Sequence, residues 1–242
     1  MCGVCCVLCV RCAITNTNVA FFLSFPLLSS PFLSFHFEKV FLNITRAAPD
    51  STLDFVAGTL GAALTEAKQW QPGGPSGGGG GGGGGAGGGA GGPVEGYQAF
   101  EAALYLLYFF GEACPKPKPP THAKLYELVE WIHTNAQLTA HGPQHILMHE
   151  AVVMMYHDCA CRFYRPLQLN TDLIPVVLEA LLGEAGLYHA SPRVRSRVCF
   201  QLRGVGKSLH QQLAPFVEQI VESFQALLPI KVKWFILYII MV

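Results

Sequence analysis

Charge is scarce in this chain of 242 residues: Asp, Glu, Lys and Arg make up 13% of it, and 16 basic side chains face 16 acidic ones. A zero balance excludes a broadly cationic nucleic-acid binder held by its overall field, while leaving room for a local basic stripe. Strand-type alternation is missing between residues 38 and 228, so no sheet is expected there. No nucleophile–base–carboxylate order and no paired-acid motif stands out. The chain is therefore read as a binding protein rather than an enzyme, with no cofactor.

Glycine and cysteine are present but unevenly placed. Residues 72–93 hold sixteen of the 26 glycines, nine of them consecutive from Gly77 to Gly85. Such a tract has no side chains whose burial could offset the backbone entropy lost on ordering, so it reads as a flexible linker. A phosphate-cradling loop would need a preceding strand, a following helix and a Lys-Ser/Thr pair, none of which is there. Cys2, Cys5, Cys6, Cys9 and Cys12 crowd the start. Their two Cys-x-x-Cys pairs lack the folded turns and longer spacer of a zinc site. Phe21 to Phe35 uses only Phe, Leu, Ser and Pro, the complete set written by all-pyrimidine codons. Residues 1–37 are accordingly read as an apolar, unstructured read-through segment. Pro26, Pro31 and the serines suit a membrane helix poorly, and the charge and cleavage pattern of a secretory signal is missing, so no anchor is expected. Residues 229–242 form an apolar tail, and its eleven residues from Val232 fall short of the roughly 20 that a spanning helix needs.

The remainder is helical in period. A repeat is expected over 38–71, with a helix from Asp50 to about Trp70, and further repeats over 94–228. Tyr97 to Ala113 places Phe100, Leu104 and Leu107 at helical spacing, and about 122–138 puts Leu125, Leu128, Val129 and Ile132 on one face. A fourth helix is expected from Gly142-Pro143 to about Tyr164, ending before Pro166. Asp172-Leu-Ile-Pro175-Val-Val-Leu178 aligns with Gln212-Leu-Ala-Pro215-Phe-Val-Glu218 forty residues later. A two-helix unit with a period near 40 is the signature of HEAT or armadillo repeats. The fold class is therefore all-α, an α-α superhelix of helical hairpins, each too small to bury its own apolar faces without neighbours.

Two constellations stand out within it. His145 and His149 are four apart, with His141, His157, Cys159 and Cys161 nearby. Cys159 and Cys161 would point about 200° apart on a helix, which argues against one ion, and no metal site is assigned. From Ala190 to His210 there are Arg193, Arg195, Arg197, Arg203 and Lys207 and no acid. Arg193/Arg197 and Arg203/Lys207 are i,i+4 pairs, so Arg193, Arg197, Arg203 and Lys207 are candidates for gripping the phosphates of a structured RNA. The structural alternative is a ladder of ion pairs with Asp172, Glu179 and Glu184 of the preceding helix. Val194 and Arg195 fit the Val-Arg pair of a HEAT second helix, valine inward and arginine bridging repeats.

The run Leu182-Gly-Glu-Ala-Gly-Leu-Tyr-His-Ala-Ser-Pro-Arg-Val-Arg-Ser-Arg-Val, followed by Lys207-Ser-Leu-His-Gln-Gln-Leu-Ala-Pro-Phe-Val-Glu-Gln-Ile, resembles the middle of the exportin-T family, the tRNA exportins among the karyopherin-β receptors. The resemblance extends back through Glu101-Ala-Ala-Leu-Tyr-Leu-Leu-Tyr-Phe-Phe-Gly-Glu-Ala and, more weakly, to Lys68-Gln-Trp-Gln. It implies a central fragment of a monomeric receptor that shuttles between nucleus and cytoplasm, carrying tRNA together with Ran-GTP past nuclear pore proteins. A generic HEAT scaffold that binds proteins and no RNA is the alternative. The irregularly spaced cysteines Cys114, Cys159, Cys161 and Cys199 suit the reducing compartments this implies.

Overall fold

A computed structural model describes residues 31–69, 97–114, 121–142 and 145–227. The cysteine-rich start, the glycine tract and the apolar tail lie outside these residues. The described chain is built of α1 (Pro31–Ala47), α2 (Pro49–Gln69), α3 (Tyr97–Ala113), α4 (Thr121–Ala136), α5 (Glu150–Arg162), α6 (Tyr164–Leu169), α7 (Leu173–Leu182), α8 (Pro192–Ser208), α9 (His210–Leu213) and α10 (Val217–Leu227). Tight 3-10 turns at Leu138–Ala140, Ile146–Met148 and Ala214–Phe216 complete it, and no strand occurs among the described residues.

The helices stack in two layers. One runs α1, α3, α5, α8, each packed on the next; the other runs α2, α4, α7. α2 also packs on α3, joining the layers. This is a HEAT-like solenoid of helical hairpins, and its apolar periodicity shows why. α2 buries Leu53, Val56, Leu60 and Leu64, α3 buries Phe100, Leu104, Leu107 and Phe110, and α4 buries Leu125, Leu128, Val129 and Ile132. Each set recurs at three- and four-residue steps and supplies one wall of a single continuous core. The helices touch closely where α3 meets the end of α5: a side chain at Gly111 would place its Cβ 2.8 Å from the Phe163 ring. Arg162 at the end of α5 donates to the Gly111 carbonyl at 3.1 Å and pairs with Glu112 at 2.8 Å. At the other end, the Thr121 hydroxyl donates to Asp50, fastening the start of α4 to the start of α2.

Three boundaries differ from the sequence reading. α1 takes in residues 31–37, which that reading assigns to the unstructured segment. Pro31 stands at the first helical position, where a missing N–H costs nothing, and no proline follows before residue 49. Second, the expected helix from Gly142-Pro143 begins only at Glu150, because the backbone turns at Ile146–Met148 and His149 then caps α5. Third, α5 ends at Arg162, close to Tyr164 and before Pro166 as expected, but a further short helix, α6, follows at once with Pro166 in its first turn. The Pro175 and Pro215 segments fall at comparable places, one in the first turn of α7 and the other in the turn leading into α10. No described helix is long and apolar enough to cross a membrane.

Candidate nucleic-acid interface

α8 is a helix defined at its start. Ser191, in extended conformation, accepts from the Arg193 amide at 3.2 Å, and Pro192 stands at the first helical position. The loop before it is anchored by His189. Its Nδ1 accepts from the Ser191 amide at 3.0 Å, so the proton sits on Nε2, which donates to the Met148 carbonyl at 3.0 Å. The inward face of α8 is Val194, Val198, Gln201 and Val205. The outward face carries Arg193, Ser196, Phe200, Arg203 and Lys207; the phenylalanine and the two cations after it are part of its solvent-facing side.

The four candidate RNA-binding cations divide into two pairs. Arg193 and Arg197 are tied to α5, the neighbouring helix of the layer. Arg193 Nη1 meets Glu150 at 2.8 Å, while the arginine side chain stays 78% exposed. A hydrogen bond with Ser191 and the Arg193 charge hold the Glu150 carboxyl below its ordinary range. Arg197 makes a two-pronged bond to Asp158, Nε to Oδ1 at 2.8 Å and Nη2 to Oδ2 at 2.9 Å, the planar fork a guanidinium offers a carboxylate. Asp158 also accepts from the Gln201 amide. Arg203 and Lys207 carry no ion pair among the described residues.

Val194 is fully buried. Arg195 stays within its own hairpin, donating to the carbonyls of His189 at 2.7 Å and Ala190 at 2.8 Å. The arginines that cross to the adjacent repeat are Arg193 and Arg197. The acids of the ladder are likewise Glu150 and Asp158 of α5. Asp172, Glu179 and Glu184 form no ion pair among the described residues, because α8 stacks on α5 rather than on α7.

The histidine–cysteine group does not converge. His145 and His149 stand on no common helix: His145 caps the Ile146–Met148 turn and His149 caps α5, each accepting an amide two residues on. His157 is buried and donates Nε2–H to the Ala185 carbonyl at 2.8 Å. Cys159 faces the Leu104 carbonyl of α3 and Cys161 the Gln201 carbonyl of α8, so the two thiols point to different helices. No group of three or more His, Cys, Asp or Glu side chains among the described residues is placed to hold a metal ion.

Phe200 is absent from the sequence reading of this face. The residue is 62% exposed, and the Arg197 guanidinium lies over its ring, 5.4 Å from the centre. The signal was available, since Phe200 falls on the same helical face as Arg193, Arg203 and Lys207 at steps of seven, three and seven residues.

The sequence model of the exportin-T family matches residues 94–235, which hold everything from before α3 to beyond α10. Over 183 residues the chain is 34% identical to the exportin-T of Arabidopsis thaliana, covering 75% of this chain and 15% of that protein. It is 30% identical to the Danio rerio exportin-T over 136 residues and 27% identical to the human one over 132, in each case 54% of this chain and 14% of the relative. The chain thus spans about one seventh of the length of the curated relatives it matches.

Proposed function

The chain belongs to the exportin-T family of nuclear transport receptors, and we propose that it forms part of a receptor carrying tRNA from nucleus to cytoplasm with Ran-GTP. The supporting observation is the α8 row of cations, free of acids, inside the stretch that matches the family. Its chemistry suits a phosphate backbone read by shape, since double-helical RNA offers phosphates and ribose rather than base edges. The action is binding, not catalysis. Cargo and Ran-GTP each favour the receptor conformation that takes the other, and GTP hydrolysis in the cytoplasm releases both. Shuttling past nuclear pore proteins is part of the same reading.

The test is anisotropy of labelled tRNA titrated with the chain over a salt series, with and without Ran-GTP. Binding should weaken steeply with salt and tighten when Ran-GTP is added. A chain that takes up no tRNA under either condition, or does so with no salt dependence, would overturn the proposal and leave a HEAT scaffold for proteins.

A further inference from the structure

We propose that Phe200 is a stacking platform on this face. It receives a base that the bound RNA holds outside its helix, while Arg203 and Lys207 hold the adjoining phosphates. The inference rests on the RNA-binding reading above and deepens it by naming the kind of RNA element that is bound.

A single exposed phenylalanine is ordinary on a protein surface. What distinguishes Phe200 is its surroundings. The Arg197 guanidinium lies over one face of the ring, 5.4 Å from its centre, and its own charge is met by Asp158, which leaves the other face for a ligand. Arg203 stands three residues on and Lys207 seven, both without a carboxylate partner among the described residues. One turn past Phe200 stands Gly204, with nothing within 4 Å of the place its Cβ would occupy. Side chains on a helix lean toward its N-terminus, so a long side chain at 204 would lean over Phe200. The result is an aromatic ring left open beside two uncompensated cations.

A ligand for such a surface must be planar and anionic together. Nucleotides are both, through a base with a π face and a phosphate. A continuous RNA duplex keeps its bases inside the stack and would leave the ring without a partner. The element that fits is a loop, a bulge or a strand end.

Three probes separate the parts: a folded tRNA, a blunt RNA duplex with no unpaired nucleotide, and single-stranded oligouridylate, each titrated at low salt with the full chain. Phe200→Ala should weaken the tRNA and the single strand by roughly 5-fold or more and leave the duplex unchanged. Phe200→Trp should retain binding to all three. Gly204→Leu, which covers the ring without removing it, should reproduce the selective loss. Arg203→Gln/Lys207→Gln should weaken every probe and flatten the salt dependence by about two phosphate contacts. Thermal melts of the variants confirm that the fold is retained, as expected for positions on the outward face.

If Phe200→Ala weakens the duplex as much as the tRNA, or weakens neither, the stacking role is overturned. When Arg203→Gln/Lys207→Gln keeps its effect in that case, the RNA reading survives alone. If that variant is also without effect, or no probe binds, both readings fall and the face serves a protein partner.

Discussion

α3 and α8 lie two places apart in the same layer and have the same length, seventeen residues, yet they share almost nothing else. α3 buries seven residues and carries two acids and no base; α8 buries four and carries five bases and no acid. Between them α5 carries both signs. It sends Arg162 to Glu112 of α3 and offers Glu150 and Asp158 to Arg193 and Arg197 of α8. α3 is held chiefly by the area it removes from water, whereas α8 is held by fewer apolar contacts supplemented by directed polar ones. Position in a repeat array thus fixes how a helix packs, but leaves its outward chemistry free for a ligand.

The largest effect should come from cutting into α3. Leu107 is fully buried in the common core, and Leu107→Ala should cost about 3 kcal/mol through lost transfer energy and the cavity left behind. Phe200→Ala on α8 should change stability by less than about 0.5 kcal/mol. Urea denaturation of the two variants checks the contrast, and equal losses would break it.

Acid should act next, again in the interior. His133 on α4 and His157 on α5 are both buried, and burial pushes both down to about 4. His133 Nδ1 lies 2.8 Å from the Tyr156 hydroxyl, while His133 Nε2 and His157 Nδ1 have no hydrogen-bond partner among the described residues. The folded state therefore prefers both rings neutral. Their contribution to stability is complete above the ordinary histidine value near 6.5 and is lost as pH falls from there toward 4. Between pH 7.5 and 5.5 each should cost on the order of 1 kcal/mol, seen as a falling urea midpoint, with His133→Gln removing about half of the slope. α8 itself contains no His, Asp or Glu.

Much of this organisation is legible in the amino-acid order, because helix periodicity and terminators are local. Tyr97–Ala113 is read and found with the same ends, and Ser191-Pro192 marks the start of α8 on its own. What is missed depends on which helices become neighbours. The ladder acids are sought on α7, the helix adjacent in the chain, but a layered array places α8 beside a helix one repeat back. The contacts record that period: Cys161 with Gln201, Gln168 with Ser208 and Asn170 with Glu130 are each separated by 40 residues, and Arg197 from Asp158 by 39. Counting back one period from Arg197 would have found Asp158. The i,i+4 spacing of His145 and His149 misleads for the opposite reason, since it presumes a continuous helix where two histidine caps divide the backbone into separate elements.

The smallest expected effect is also the sharpest test of the contrast, because it applies one substitution to both helices and predicts opposite signs. A glycine inside an exposed helix costs up to about 1 kcal/mol relative to alanine, through the backbone freedom lost on folding. At Gly204 of α8 nothing lies within 4 Å of the added Cβ, so Gly204→Ala should stabilise the chain by about 0.5–1 kcal/mol. At Gly111 of α3 the added Cβ would sit 2.8 Å from the ring of Phe163, itself buried against the core. That ring has to move against packed neighbours, so Gly111→Ala should lose rather than gain stability. Melting temperatures of the two variants, shifted up for Gly204→Ala and down for Gly111→Ala, would confirm that α3 is fixed by close packing and α8 presents an open surface. An upward shift for both would mean that the α3–α5 contact is looser than the two-layer core requires.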